Sequence, residues 1–410
     1  MLTLLHYLLL AGYAITPIFY AAVMTHRWHA GPSRAAMRSL AGTAGAAVLL
    51  GTAVSVFFAV ALGARTRFDQ SALAAFYFMT VLIVFKGLLR AGAWLGGRVG
   101  GSARWRRFWP AAGQLVLVGL VGVPYGMAAI MTYRPKVGIV GSPLSEYGWR
   151  YQIVKFRSLD GVELSGWWIP ALAATANDEK RAGNAGRTVL VCHGLGANKL
   201  NQLQMARVFY ERGYNVLAFD FRAHGESGGQ FTSYGDLERR DVLGAVRWLK
   251  ATHADRSAKV VGVGASLGGA ALLAGATQRD SVYARAIDGV ILYGTYGDLG
   301  TLTGEVAARF VWPVNWLARY VAVPLASVHA GTNLQAFAPV AGAGEVSPRA
   351  LVVVHGRRDE MIPVHQGEDL FRAAREPKKL ILLDADHNSL IEDDATARQA
   401  VDFVEANLGR

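Results

Sequence analysis

Hydrophobic positions are distributed differently in the two parts of the chain. Before residue 137 they gather into long apolar runs, each close to the ~20 residues with which an α-helix crosses ~30 Å of hydrocarbon. We predict four membrane-spanning helices, over residues 2–24, 40–62, 71–90 and 110–132. No charged residue lies deep within a run, so the pattern indicates an anchor and not a transport pathway.

From about residue 150 the apolar runs become short and alternate with helix-length segments. Two runs separated by Leu159-Asp160-Gly161 predict a β-hairpin. Further strands are predicted over residues 188–192, 215–219, 259–263, 289–293, 350–354 and 379–383. Helices are predicted over residues 199–212, 236–251, 267–279, 364–375 and 392–407. This alternation indicates a mostly parallel sheet flanked by helices. We therefore predict an all-α transmembrane region over 1–136 and an α/β domain over 137–410.

The charge follows the same division. Residues 1–136 contain 13 Lys and Arg and one acid, Asp69, whereas residues 137–410 contain 29 basic and 29 acidic residues. The net charge of +12 therefore belongs wholly to the apolar part. The α/β domain has no excess positive charge, so its composition does not indicate nucleic-acid binding. Nine basic residues follow the first and third predicted spans, against four on the opposite side. The positive-inside rule then places both termini, and with them residues 137–410, on the non-cytoplasmic face of a bacterial-type inner or plasma membrane.

Two Gly-x-Ser-x-Gly patterns occur, one centred on Ser227 and one on Ser266. A serine in this pattern acts as a nucleophile when it lies on a sharp turn between a strand and a helix. Ser266 follows the strand-like run KVVGVG and precedes LGGAALLAGATQR, which is rich in helix-forming residues. Ser227 leads into GGQFTSYGD, which lacks helical character. We predict Ser266 as the nucleophile and Ser227 as a chance match.

A serine hydroxyl is a weak nucleophile unless a base, itself oriented by an acid, takes its proton. His387 follows the last predicted strand, in KKLILLDADHNSL, and we predict it as the base. Asp359 follows the preceding strand, in LVVVHGRRDEMIP, and is the first choice for the acid. Glu360, Asp384 and Asp386 stay open as alternatives. The last two rank below Asp359 because they are too close in sequence to His387.

An oxyanion hole requires two backbone N–H donors, one after the nucleophile and one from the loop after an earlier strand. These are predicted at Leu267 and, in VLVCHGLGANK, at Leu195. His193 and His355 are interpreted as structural, and Cys192, the only cysteine, as a buried apolar residue. No close cluster of His, Asp and Glu has the spacing of a metal site, and no metal or cofactor is predicted.

The segments HGLGAN, DFRAHGES, GASLGG, HGRRDEMIP and DADHNS resemble, in order and spacing, those of the α/β-hydrolase superfamily. The resemblance covers roughly residues 150–410 and looks most similar to membrane-anchored serine hydrolases of the Bem46/ABHD type and to serine aminopeptidase-like proteins. It implies an α/β-hydrolase fold with a short helical cap. It also implies Ser266 as nucleophile, Asp359 as acid and His387 as base, with Leu195 and Leu267 as oxyanion donors.

One segment departs from the pattern of the superfamily. In DFRAHGES, Ala223 stands where a glycine is usual. Asp220, Arg222 and His224 of this segment are interpreted as structural supports near the site.

Residues 298–348 form an insertion between two predicted strands, where a cap would cover the serine. It is rich in aromatic residues, and Trp312, Trp316 and Tyr320 are predicted to contact an apolar substrate. An apolar lid that lies on the bilayer is one interpretation. A cap helix packed on its own domain is the alternative.

Together these patterns favour a membrane-anchored serine hydrolase that cleaves an ester or thioester of an acyl or lipid-like substrate through an acyl-enzyme. Two alternatives stay open. The first is a serine peptidase acting on small peptides, for which Glu305 is the one acid in the cap that we could assign to a terminal amine. The second is a catalytically inactive, hydrolase-like binding module in the membrane. The expected partners are the small-molecule substrate and the lipid bilayer.

Overall fold

The computed structural model describes residues 123–133, 136–172 and 183–408. The chain divides into Met1–Ala128 and Ala129–Arg410, and the account below concerns the second part. The first three predicted spans, and the fourth up to residue 122, lie outside the described residues. Helix α1, Val123–Thr132, covers the end of the fourth. Within the described ranges, no helix combines the length and apolar character needed to cross a membrane.

Eight strands form one sheet. Their bounds are β1 Gln152–Arg157, β2 Glu163–Ile169, β3 Arg187–Cys192, β4 Asn215–Phe219, β5 Lys259–Ala265, β6 Gly289–Tyr293, β7 Ala350–Gly356 and β8 Lys378–Leu383. The order across the sheet is β1-β2-β4-β3-β5-β6-β7-β8. Strands β1 and β2 form the predicted antiparallel hairpin, and β2 joins β4 antiparallel. All pairs from β4 to β8 are parallel, so the predicted mostly parallel sheet is confirmed.

Helices connect the strands and cover both faces of the sheet. Those that come before the cap, after α1, are α2 Pro143–Tyr147, α3 Arg207–Glu211, α4 Arg239–Thr252, α5 Leu267–Ala276 and α6 Val282–Arg285. In the insertion after β6 lie α7 Leu299–Ala308, α8 Val314–Leu317, a π-helical turn Ala318–Ala322, α9 Val323–Ala330, and 3-10 turns Leu334–Ala336 and Pro339–Val346. Helices α10, Val364–Ala373, and α11, Asp394–Glu405, flank β8, with a 3-10 turn Ser389–Ile391 between β8 and α11.

The core has two layers, one on each face of the sheet. Alternate side chains of β3, such as Val189 and Leu190, enter opposite layers, and both are fully buried. Because the parallel strands are buried on both faces, their sequences are mostly apolar and do not alternate with polar residues. Cys192 is buried in the second layer, as the sequence predicted.

The helix predicted over residues 199–212 is wrong in its first half. The Asn198 carboxamide oxygen accepts the N–H groups of Leu200 and Asn201, and the Lys199 N–H bonds to Asp220. These contacts hold residues 198–202 in a turn because side chains take the place of helical carbonyl acceptors. A 3-10 turn, Leu203–Ala206, follows, and α3 begins only at Arg207.

Candidate active site

Ser266 occupies a strained turn between β5 and α5. Its φ of 54° and ψ of −122° lie where residues other than glycine are rarely found. The Ser266 N–H donates to the carbonyl oxygen of Tyr293 at the end of β6, over 2.8 Å. Ser266 is partly exposed, whereas the neighbouring Ala265 and Leu267 are buried. The serine side chain is therefore accessible above the carboxyl edge of the sheet.

Two glycines make this turn possible. A Cβ atom on Gly268 would lie 2.1 Å from the carbonyl oxygen of Cys192 in β3, and one on Gly264 would lie 2.7 Å from the Gly268 backbone. Backbone atoms cannot move away as the end of a side chain can, so any larger residue would push α5 away from the sheet. The N-terminus of α5, with its unpaired N–H groups and positive dipole end, therefore lies directly behind Ser266.

His387 and Asp359 come together in the structure. The Nδ1 atom of His387 lies 2.7 Å from Oδ2 of Asp359. The other carboxylate oxygen, Oδ1, accepts the backbone N–H groups of Met361 and Ile362 at 2.9 and 2.8 Å. The Asp359 side chain is fully buried, and the His387 side chain is 12% exposed. A carboxylate fixed in this way orients the imidazole and leaves its Nε2 atom directed away from the acid.

Two of the alternative acids, Asp384 and Asp386, are engaged elsewhere. Asp384 forms an exposed ion pair with Arg358 at 2.8 Å. Asp386 accepts hydrogen bonds from Asn388 and Ser389 in the turn after β8, and these bonds lower the pKa of its exposed carboxyl. Of the predicted candidates, only Asp359 is shown in contact with His387.

His387 and Ser266 lie at the same edge of the sheet. A Cβ atom on Gly294 would approach within 3.1 Å of His387 Nδ1, so the imidazole lies against Gly294. The preceding residue, Tyr293, accepts the Ser266 N–H. The end of β6 therefore brings the strained serine and the oriented histidine to one place.

The loop after β3 lies against the serine. A Cβ atom on Gly194 would meet the Ser266 Cβ at 3.4 Å. The Gly194 N–H donates to Gln202 Oε1 at 2.7 Å, which fixes the start of the loop. Leu267, the first residue of α5, directly follows Ser266, and Leu195 directly follows the glycine that lies against the Ser266 side chain.

His193 holds this loop through its ring. Its Nε2 accepts the Phe221 N–H at 3.0 Å, so the proton must be on Nδ1, which lies 2.8 Å from the Gly194 carbonyl oxygen. Burial lowers the pKa of His193 to about 3, and the ring is therefore neutral at pH 7. His355 is also fully buried, and its Nε2 donates to the Ile362 carbonyl oxygen at 2.9 Å. Both histidines contact the backbone next to the site, in agreement with their structural interpretation.

Sequence reasoning missed a buried ionic cluster beneath the loop. Lys199 is fully buried, and its Nζ lies 2.6 Å from Asp220 Oδ2 and 2.7 Å from Glu226 Oε2. The Asp220 side chain is also fully buried and accepts the N–H groups of Lys199 and Glu226. The segment GANK does not indicate that Lys199 is buried. Its partner Asp220 follows the next strand, and the residues around Lys199 contain no signal for that contact.

The other residues of DFRAHGES also support the site's surroundings. Arg222 bonds to Asp241 and Asp160 through its guanidinium group, and His224 Nδ1 lies 2.8 Å from the Arg222 carbonyl oxygen. Ala223 has a φ of 62°, the left-handed conformation that explains why a glycine is usual at this position.

Ser227 has a different environment from Ser266. It is 1% exposed. Its Oγ donates to the Asp220 carbonyl oxygen and accepts the Ser165 N–H at 2.9 Å. The hydroxyl group is thus committed to joining the turn after β4 to strand β2.

The cap residues predicted to contact substrate lie largely at the surface. Trp312 is 79% exposed, Tyr320 58% and Trp316 49%. Glu305, on α7, pairs with His365 on α10, with 2.9 Å between Oε1 and Nε2. The cap is thus joined to the helix that follows the Asp359 loop.

Comparison with known proteins assigns the chain to a family. The alpha/beta hydrolase family matches residues 189–400, a range that is more than half of the chain and contains Ser266, Asp359 and His387. The chain belongs to the alpha/beta hydrolase family.

This hydrolase also resembles curated proteins whose function is not described. YfhR of Escherichia coli (strain K12) is 30% identical over 264 residues, which cover 63% of this chain and 82% of that protein. YqkD of Bacillus subtilis (strain 168) is 30% identical over 205 residues, which cover 48% and 62%.

A solved structure shows the same fold. The esterase Pf2001 of Pyrococcus furiosus superposes with a TM-score of 0.52 at 23% identity. The superposition covers 68% of this chain and 99% of the esterase. The hypothetical protein PA2218 of Pseudomonas aeruginosa gives 0.50 at 19% identity, over 64% of this chain and 95% of that one.

Proposed function

We propose that this alpha/beta hydrolase is a membrane-anchored serine hydrolase that cleaves carboxylic esters or thioesters through an acyl-enzyme. The observation that carries the proposal is the 2.7 Å contact between His387 and Asp359 beside a serine at φ 54°. An oriented base next to a nucleophile on a strand-to-helix turn is the arrangement that acyl transfer requires.

The reaction proceeds in two halves. The Ser266 Oγ attacks the substrate carbonyl carbon while His387 Nε2 takes the hydroxyl proton, and His387 then returns that proton to the leaving alcohol or thiol. In the second half, His387 takes a proton from water as the water oxygen attacks the acyl-enzyme, and it gives that proton to Ser266 Oγ as the bond to the acyl group breaks and the carboxylic acid leaves. Asp359 stays ionised and stabilises the imidazolium that forms in each half. The N–H groups of Leu195 and Leu267 bind the oxyanion.

The substrate class is an ester or thioester with an apolar acyl group. Support comes from the esterase name of the Pyrococcus furiosus structure with the same fold. The alternative peptidase needs Glu305 to bind a terminal amine, but Glu305 Oε1 is paired with His365 and Oε2 is buried, without a hydrogen-bond partner among the described residues. A binding module without activity would have no use for a backbone strain of about 1–3 kcal/mol at Ser266.

Anchoring rests on the four apolar runs of residues 1–136, and the basic residues between them place the hydrolase domain on the non-cytoplasmic face. No cofactor is needed for this chemistry.

The substrate class is tested by hydrolysis in detergent solution. We expect p-nitrophenyl esters and acyl thioesters to be hydrolysed, with aminoacyl anilides far slower. Ser266→Ala and His387→Ala should each abolish the reaction. Anilide hydrolysis that is faster than ester hydrolysis, and is lost in Glu305→Gln, would instead assign the protein to the peptidases.

A further inference from the structure

The outer side of the cap exposes a run of large apolar side chains. The cap tip consists of Val306, Phe310, Val311, Trp312, Trp316 and Tyr320, whose exposed fractions range from 37% to 79%. Phe310, Val311 and Trp312 are consecutive, and the rings of Trp316 and Tyr320 are 6.0 Å apart. Such a concentration of exposed apolar residues marks an interaction surface, whereas isolated exposed ones do not.

The helical segment over residues 314–322 turns a leucine and two alanines towards the protein. Leu317, Ala318 and Ala322 are buried, while Trp316 and Tyr320 are exposed. A surface helix of a soluble domain normally buries its bulky apolar residues and exposes polar ones. Here the aromatic rings contribute little to the fold, and no described residue buries them.

The cap tip, over residues 306–320, carries two positive charges and no acid. From Val306 to Gly344 the sequence contains no Asp or Glu. Arg309 and Arg319 are both exposed, and the Arg319 guanidinium lies 5.6 Å from the centre of the Tyr320 ring. The surface is therefore apolar and aromatic at its centre and cationic beside it.

We propose that the cap tip docks into the headgroup layer of a bilayer that contains anionic lipid. Tryptophan and tyrosine favour this layer because it is apolar on one side and wet on the other. Apolar side chains gain by entering the acyl boundary, and each arginine near an anionic surface adds an attraction. A second copy of the chain fits less well, because a two-fold contact would bring the same arginines together without an acid between them. The docking does not depend on the reaction at Ser266.

A fluorescent probe on the cap tip of the full chain tests this docking. Cys192 is the only cysteine and is fully buried, so a thiol dye will report on an introduced cysteine. We would label Val311→Cys, which leaves every aromatic residue in place, and use Ile153→Cys as the control. Ile153 is 68% exposed on β1, the strand at the far edge of the sheet.

Each labelled protein is placed in nanodiscs of phosphatidylglycerol or phosphatidylcholine doped with a nitroxide-labelled lipid. We expect the dye at 311 to shift to the blue and to be quenched by the nitroxide, more strongly in phosphatidylglycerol, while the dye at 153 does neither. Dye at 311 that behaves as it does at 153 would overturn the proposal. So would a blue shift that grows with protein concentration and is insensitive to the nitroxide, which indicates a second copy.

A charge-reversal variant tests the contribution of the two arginines to docking on anionic lipid. Arg309→Glu combined with Arg319→Glu, in the Val311→Cys background, should lose the extra quenching in phosphatidylglycerol. Quenching that is equal in the two lipids and unchanged by the charge reversal would overturn the assignment to anionic lipid.

Discussion

Ser266 has a backbone conformation that L-amino acids avoid, and the contacts around it maintain that conformation. Its N–H bonds to Tyr293, and Gly194 packs against its Cβ. Strain of this kind costs about 1–3 kcal/mol and persists where the surroundings over-determine the backbone. The consequence is a hydroxyl group held on a sharp turn, at the same edge of the sheet as His387.

The choice of acid can be tested by Asp359→Asn. The carboxamide can still accept an N–H from the 361–362 backbone, but its NH2 group would face His387 Nδ1 and favour the wrong tautomer. We expect the rate of fluorophosphonate labelling of Ser266 to fall by a factor of about 10³–10⁴.

Asp386→Asn is the matched control, because Asp386 is next to His387 in sequence and contacts Ser389. It should change the rate only a few-fold. A large loss in Asp386→Asn together with a small one in Asp359→Asn would reassign the acid.

The lowered pKa of the buried His193 predicts how the free energy of unfolding depends on pH. Its folded-state pKa of about 3 lies below the ordinary value of about 6.5, so the unfolded chain binds the proton first as the pH falls. The contribution of the neutral ring is therefore complete above about pH 6.5 and is lost as the pH falls towards 3.

We expect His193→Gln to remove up to about 1.4 kcal/mol per pH unit from the slope of the unfolding free energy in this range. Urea midpoints from pH 7 to pH 4, for both proteins in detergent, would measure it. Equal slopes would contradict a neutral, buried His193.

At the residue scale, sequence order was enough to nominate His387 and Asp359, because the ends of parallel strands meet at one edge. It could not find Lys199, Gln202 or Glu226. Their partners are brought close by the packing of the loop after β3 on the turn after β4, and no local pattern records that contact.

At the scale of elements, the site depends on how closely α5 approaches the sheet. Gly264 and Gly268 have no room for a methyl group, since the nearest atoms belong to the backbone of α5 and of β3. The pattern of glycines was visible in the sequence, and so was the strand-to-helix turn. The start of α3 was not visible in the sequence. Side-chain acceptors in the 198–202 turn replace the backbone hydrogen bonds of the helix that propensity alone predicts there.

Gly268→Ala tests this approach. We expect it to lower the free energy of unfolding by about 3 kcal/mol, through overpacking against Cys192, and to slow labelling of Ser266. Gly304→Ala is the control: Gly304 lies inside α7, and its new Cβ would be 3.4 Å from the flexible Arg319 side chain. It should be neutral or gain up to about 1 kcal/mol from helix propensity. Equal effects of the two changes in urea unfolding would refute the close approach.

The loop after β3 depends on Lys199, whose removal leaves the buried Asp220 carboxylate uncompensated. Lys199→Met should cost about 3–5 kcal/mol. Lys155→Met removes one side of an exposed pair with Glu163 and should cost less than about 1 kcal/mol. If Lys199→Met is as mild as Lys155→Met in the same unfolding assay, the cluster does not stabilise the loop.

At the scale of the whole molecule, the sequence divides the chain into an apolar, basic part and a charge-balanced hydrolase domain. The mostly parallel sheet flanked by helices was predicted from strand–helix alternation, whereas the order of its strands comes from the structure alone. The position of the hydrolase domain relative to a membrane stays a prediction from the basic residues between the apolar runs.

That prediction is tested on intact cells that express Ile153→Cys. A membrane-impermeant maleimide should label residue 153, since we place residues 137–410 on the non-cytoplasmic face. Labelling only after the cells are permeabilised would place the hydrolase domain in the cytoplasm.

The central claim is that Ser266 is an activated nucleophile, and fluorophosphonate labelling of the detergent-solubilised full chain tests it most directly. The wild type is compared with Ser266→Ala and with Ser227→Ala, which removes the buried serine of the other Gly-x-Ser-x-Gly pattern. The account predicts that the wild type and Ser227→Ala are labelled and that Ser266→Ala is not. Label that persists in Ser266→Ala, or a wild type that never reacts, would contradict it.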